Sequence, residues 1–186
     1  MFRVTTALRR CALAAVFAAL PAAHAAGDDV VDLGSSVPSS KQIEDGLFPD
    51  DNCEKLKENG FKCMGFKPPV RFELPSSSFR LGSADLPDGL KAQLDAFASV
   101  LAKKSGNDHA VRIEGHADAS GNPTANDTLS QRRADAAREY LISKGVAPDL
   151  LSAVGVGSKD LADPQRPLAP SNRRVVIGRD HAPTSP

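Results

Sequence analysis

Tryptophan is absent from this 186-residue chain, tyrosine occurs once, and aromatic residues make up only 5%. That leaves no basis for a wide aromatic platform of the kind that stacks on sugar rings. Net charge is missing too: 23 Lys and Arg stand against 23 Asp and Glu. The basic bias that nucleic-acid binding exploits is therefore not there. Nor is there an apolar run of about 20 residues, which a membrane-spanning helix requires. The run at residues 11–20 is too short to span. It follows Arg3, Arg9 and Arg10 and precedes Ala23-His24-Ala25. A charged start, a short apolar stretch and a small-x-small site are the parts of an export signal. Cleavage is expected after Ala25, and the flanks of Cys11 do not form a lipoprotein cleavage box. The mature protein is expected to be soluble, exported and slightly acidic.

Cysteine is scarce, with three in all. Cys11 leaves with the signal, so Cys53 and Cys63 remain, an even count in an oxidising compartment. They are read as a disulfide closing a small loop, worth about 2–3 kcal/mol by chain entropy. Two free thiols, or half of a metal site, are the alternative. Against it, no second cysteine pair exists and no histidine lies close in sequence.

Residues 26–41 are rich in Asp, Gly, Ser and Pro and read as a flexible linker. From residue 42 to 67 the chain reads as a small stapled extension. Ile43, Leu47 and Phe48 are apolar, Pro49-Asp50-Asp51-Asn52 is a turn, and a short helix ends at Gly60. The disulfide would pin Phe61 and Met64 beside Leu56. Pro68-Pro69 opens the main domain, residues 68–180, and 181–186 form a tail.

In that domain Val70, Phe72 and Leu74 alternate with Arg71 and Glu73, giving a first strand. Pro87 fits the first turn of a helix, which Leu90, Leu94, Phe97, Ala98 and Leu101 continue at helical spacing. A second strand is predicted at 110–115. A second helix is predicted at 130–144, with Thr128 and Gln131 as a capping box or Ser130 as N-cap, and with Leu129 pointing to the core. Strands at 150–157 and 173–178 flank a loop holding Pro164, Pro167 and Pro170. The predicted fold is an α/β two-layer sandwich, two main helices on one face of a mixed four-stranded sheet.

Asp118 falls just past the second strand and Arg133 early in the second helix. Helical side chains lean toward the N-terminus, so Arg133 points back to the loop of Asp118. A carboxylate and a guanidinium facing one cleft suit a ligand with both an ammonium and a carboxylate, an amino-acid end group. Free N–H groups at the helix N-terminus favour an anion there. Serving a ligand, both groups are expected to matter far more for binding than for stability.

Gly115-His116-Ala117-Asp118, Gly121, Asn126, Leu129-Ser130, Arg133-Ala134 and Asn172-Arg173-Arg174-Val175 resemble the OmpA C-terminal-like family of peptidoglycan-associated domains, the OmpA/Pal/MotB type. The resemblance covers roughly residues 68–180 and departs at Ala117, where the family usually has Thr. It implies that Asp118 and Arg133 clamp the diaminopimelate of the peptidoglycan stem peptide. Asn126 then braces the loop or contacts the stem peptide. Successive strand residues face opposite sides, so one of Arg173 and Arg174 should approach the ligand, either contacting it or bracing the Asp118 loop.

His109, His116 and Asp118 do not converge as a closed metal site needs, and His116 is read as a strand-end residue orienting the loop. Ser130 and His116 lack the Gly-x-Ser-x-Gly elbow of a nucleophile, and no carboxylate pair suits glycoside hydrolysis. The expectation is a non-catalytic protein without metal or cofactor. It would be periplasmic, associated with the outer membrane or wall, and anchor an envelope component to peptidoglycan. A periplasmic adaptor holding another envelope protein through residues 42–67 is the alternative.

The disulfide is directly testable. Intact mass after alkylation of the exported chain without reductant should show no label, and two labelled thiols would refute the pairing of Cys53 with Cys63.

Overall fold

The computed structural model describes residues 30–49, 56–62, 68–75, 79–104 and 110–179. Along the chain run β1 (Val30–Asp32), α1 (Ser40–Leu47), β2 (Arg71–Leu74), α2 (Asp88–Leu101), β3 (Val111–His116), α3 (Pro123–Ser143), β4 (Leu151–Gly157) and β5 (Val175–Arg179). The strands form one five-stranded sheet in the order β1-β2-β5-β3-β4. β1 with β2 and β3 with β4 are parallel pairs; β5 runs antiparallel between β2 and β3.

The sequence reading is corrected first in the sheet and in the residues that precede the main domain. The sheet has five strands rather than four, because Val30–Asp32 pairs beside Arg71–Glu73. Residues 30–41 are therefore not linker: β1 and the start of α1 lie within them. Ser39 caps α1, accepting from the backbone of Gln42 while the Gln42 side chain accepts from Ser39, a complete capping box. The extension is also part of the main core, not a satellite. Ile43, Leu47 and Phe48 are buried, and Gly46 lies against Phe72, whose ring meets Phe97 of α2 edge-on at 5.4 Å. α1, α2 and α3 thus lie on one face of the sheet. Farther on, Phe61 N donates to Leu56 O and Gly60 N to Lys57 O, with Gly60 at φ 79°, so the helix stop at Gly60 is a Schellman turn. Cys53 and Cys63, the export signal at 1–25 and the tail at 181–186 lie outside the described residues.

α2 follows its apolar spacing, burying Leu90, Leu94, Phe97, Ala98 and Leu101. α3 does not, and it starts seven residues before the predicted 130. Asn122 is its N-cap, accepting from Thr124 N, and Pro123 takes the first position. Its buried face is small or polar at Asn126, Ser130, Arg133, Ala134 and Ala137, and only Leu141 near its end is large and apolar. Leu129 is half-buried, not a core residue.

Such a face lets the helix lie very close to the sheet. A Cβ on Gly115 would sit 2.0 Å from Ser130 O, and one on Gly155 2.5 Å from Gln131 N. From that distance α3 caps the open edge of β4. Gln131 donates to Ala153 O (3.2 Å) and accepts from Gly155 N (2.7 Å). Ser130 Oγ accepts from Gly157 N (2.8 Å), and Arg138 Nε donates to Leu151 O (3.0 Å). These four bonds occupy part of the open edge, which is that much less available to another strand. Among the described residues, no helix is long and apolar enough to cross a membrane.

Gly115→Ala should lower the free energy of unfolding by an amount near the upper end of roughly 1–3 kcal/mol, because its methyl meets backbone rather than a movable side chain. Urea denaturation of the variant checks this; a change within error would mean that α3 shifts without penalty.

Candidate functional site

β3 leaves the sheet at His116, where its register with β4 slips by one residue. The following loop is tied on both sides: Ala117 N donates to Gly157 O (2.8 Å) and Ala119 N to Pro167 O (2.9 Å). Asn126 supplies the third tie, its Nδ2 donating to Asp118 O (3.0 Å) and Ser120 O (2.9 Å). Of the two roles expected for Asn126, bracing the loop is visible here.

So held, Asp118 is only 3% exposed. Its Oδ1 accepts from Ser120 N (2.9 Å) and from the Ser120 hydroxyl, and its Oδ2 from Arg173 Nη1 (2.8 Å). Burial pushes its carboxyl up, but the Ser120 and Arg173 hydrogen bonds outweigh burial and hold it below the usual range. Ser120 is not among the residues expected at the site; its signal is Asp118 two residues before it, since an Asp side chain commonly accepts from the backbone two residues on.

Arg133 is fully buried, well inside α3. Nε donates to Ser83 O (3.0 Å) and Nη1 to His116 O (3.0 Å), and the guanidinium lies 4.7 Å from the centre of the Phe79 ring. Nη2 is buried with no hydrogen-bond partner. Burial first, then repulsion from Arg173, lowers the group to about 10, with Asp118 acting in the opposite sense. It is still charged at neutral pH.

Arg173 and Arg174 part company, as successive residues were expected to, although they precede β5 rather than open it. Arg173 turns to Asp118 and to Phe79 O (3.0 Å). Arg174 turns away, to Glu73 (3.1 Å) and to Asp160 O (3.1 Å), and is not part of the cleft. His116 has its Nδ1 3.1 Å from Asp160 O, fitting its reading as an orienting residue.

Asp118, Arg133, Asn126 and Arg173 thus line one cleft of about 400 Å³, with Leu81, Leu129 and the 120–122 turn on its walls. Asp118 and Arg133 do face the same space, but each is already bound within the protein. They were expected to matter far more for binding than for stability; their hydrogen bonds within the protein give both a part in stability as well.

A mixed sheet covered by helices, with an acid on the loop after β3 and a buried arginine on α3, defines an α/β domain with a polar cleft at one end of the sheet. The model of the OmpA family matches residues 78–174, just over half of the chain, and the chain belongs to that family. It is 43% identical over 89 residues to outer membrane protein A of Yersinia pseudotuberculosis, a match covering 47% of this chain and 25% of that protein. The chain thus aligns with about a quarter of that relative's length. Among solved structures, the OmpA-like domain of FopA1 from Francisella tularensis superposes with a TM-score of 0.50 at 20% identity, covering 59% of this chain and 72% of that one. The periplasmic domain of Helicobacter pylori MotB gives a TM-score of 0.50 at 22% identity, covering 60% and 83%. These two likenesses establish the fold.

A carboxyl whose pKa is depressed by folding adds stability above its unfolded value, about 3.9, and loses it as pH falls through the folded value. Asp118→Asn should therefore be less stable at pH 7, by about 1–3 kcal/mol as its buried donors lose a charged acceptor. The gap to the parent should close on acidification below about pH 4. Thermal melts of both proteins from pH 7 to pH 2 test this; a gap independent of pH would mean that the charge of Asp118 is not what stabilises.

Proposed function

We propose that this chain binds peptidoglycan without catalysis, taking the diaminopimelate end of a stem peptide into the Asp118–Arg133 cleft and tying an envelope component to the wall. One observation carries the reading: an arginine that lines the cleft of a domain from the OmpA family is fully buried and leaves its Nη2 unpartnered. A buried cation without an anion is unfavourable, and a ligand carboxylate would complete it. Asp118 has three of its roughly four acceptor positions filled, so one remains for an ammonium. The N-terminal turn of α3 borders the same cleft and adds a weak preference for anions.

The setting follows from the same family. Relatives named for the outer membrane and a neighbour named as a periplasmic domain support an exported, periplasmic chain at the wall or outer membrane, with its signal removed after Ala25. No metal, cofactor or nucleic acid enters the proposal. A second envelope protein as partner through 42–67 is favoured by one observation, the exposure of Leu56 and Phe61 on the Schellman turn. Residues 43–48 are already used in the core.

Cosedimentation of the full chain with purified sacculi is the test. The parent should pellet, whereas Arg133→Lys, which keeps the charge but loses the planar fork, should bind about tenfold or more weakly, one charge-assisted contact being worth roughly 1.5–3 kcal/mol. A parent protein that stays in the supernatant would refute wall binding and leave the adaptor reading; released soluble muropeptides would refute the absence of catalysis.

A further inference from the structure

The sheet ends differently on its two sides. At β4 the edge is partly occupied by Gln131, Ser130 and Arg138 of α3. At the other end β1 is the last strand, and it lies outside residues 78–174, which the family model matches. Leu33 N donates to Glu73 O (3.0 Å), so the backbone groups of Leu33 and, two residues back, of Val31 face β2. Those of Val30 and Asp32 point the other way, out of the sheet. Each brings one N–H and one carbonyl.

The two faces beside this edge differ in chemistry. On the helix side, Val31 lines a recess of about 200 Å³ with Gln42, Asp45, Gly46, Val70 and Phe72. The recess exists because α1 is seated on β2: Val70 N donates to Gly46 O (2.9 Å), and a Cβ on Gly46 would stand 2.6 Å from the Phe72 ring. Val31, one strand farther out, is only half-buried. On the other side, Asp32 lies directly across from Glu73, and like charges so placed repel. Glu73 has Arg174 (3.1 Å). Asp32 has the backbone N–H of Gly34 (2.8 Å) and, among the described residues, no cation. Val30 shares that face and is 52% exposed.

We propose that β1 is a docking edge for an extended segment of another protein, which adds an antiparallel sixth strand with an apolar side chain in the recess and a lysine or arginine beside Asp32. An antiparallel segment exchanges both backbone bonds with Val30 and both with Asp32. Its side chains alternate between faces, so the residue across from Val31 enters the recess while its neighbours lie beside Val30 and Asp32. Along the incoming chain the order is basic, apolar, apolar. A second copy of this chain does not supply it: paired antiparallel about Val31, it sets Asp32 against Val30 and brings no cation. Main-chain bonds give the affinity, and the recess and the carboxylate give the choice. An edge of three residues makes the association weak and reversible. The recess and the cleft share no lining residue, so the proposal goes beyond the wall-binding reading and does not depend on it.

The probe is the peptide acetyl-Ser-Lys-Ile-Val-Ser-amide, titrated into the full ¹⁵N-labelled chain. The backbone amide signals of Val30 and Asp32 should move. Serine in place of the peptide's isoleucine should weaken binding about tenfold. Glutamate in place of its lysine should weaken binding roughly two- to fivefold, a difference that Asp32→Asn should erase while keeping an acceptor for Gly34 N. Val30→Pro removes one outward N–H, leaves the bonds to β2 in place, and is of a kind tolerated at the first residue of an edge strand. It should bind the peptide about fivefold more weakly and pellet with sacculi as the parent does. Its melt is recorded beside it, and the peptide series on the parent stands without any variant.

Unmoved Val30 and Asp32 signals at millimolar peptide, or equal binding of the lysine and glutamate peptides, would overturn the proposal. So would a dimer of the chain alone, seen by sedimentation, that Val30→Pro abolishes. Failure of the wall-binding reading looks different: no form of the chain would pellet with sacculi while the peptide shifts remained.

Discussion

The distance between α3 and the sheet controls the site. At Gly115 and Gly155 no side chain holds the helix off, and its backbone comes to where a Cβ would be. A helix at ordinary spacing from a sheet leaves room for the apolar side chains of both layers. This one uses the room for backbone and for small residues, Ser130, Ala134 and Ala137. Two results follow from the same contact. Gln131 and Ser130 reach the open groups of β4, and Arg133, one turn on, is carried beneath the loop that leaves β3. Its Nη1 can then reach His116 O. Were α3 lifted by the width of a methyl, both the edge cap and the burial of Arg133 would suffer together.

Burying that guanidinium runs against the ordinary pattern, in which a buried charge is paired. Arg133 has carbonyl oxygens at two of its nitrogens and the face of Phe79. These offset part of the desolvation but leave the charge without a counter-ion. The acid that shares the cleft is bonded to Arg173 instead. The cleft thus holds a local electrostatic deficit, which the protein tolerates because a large apolar core packs elsewhere. The same two bonds fix the plane of the guanidinium, so an anion of the kind proposed above would meet a group already ordered.

Much of this could be read from residue order, and the failures have physical causes. The i, i+4, i+7 spacing from Leu90 to Leu101 marked α2, and period-two alternation marked β2 and β3. Those signals come from burying apolar side chains on one side. α3 buries glycine-facing small residues and an arginine, so its apolar pattern is weak, and its true start was signalled only by Asn122-Pro123. β1 is three residues long, too short to show a period, and is a strand because β2 lends it hydrogen bonds. The Asp118–Arg133 relation was legible because both lie in one strand–loop–helix unit. The Asp118–Arg173 pair, 55 residues apart, is a product of β5 lying beside β3, and no local pattern carries it. Arg173 and Arg174 could be said to diverge, but only the sheet order says which goes where.

That divergence also explains how the two faces of the sheet are kept in step. On the face away from the helices, Glu114 is bracketed by Arg71 and Arg112, and Glu73 and Asp160 hold Arg174. Glu114 stays ionised there: burial alone would raise it, but His116, Arg71 and Arg112 outweigh that and lower it. His116 stands where this charged lattice meets the cleft. Its N–H donates to Arg174 O, its Nδ1 faces Asp160 O, and its own carbonyl takes Nη1 of Arg133. A carbonyl only accepts, so Nδ1 must carry a hydrogen and the ring is fixed in one orientation. A single strand-end residue is thereby bound to the lattice by its ring and amide and to the cleft by its oxygen. Through His116 the charged groups behind the sheet are thus joined to the arginine in front of it.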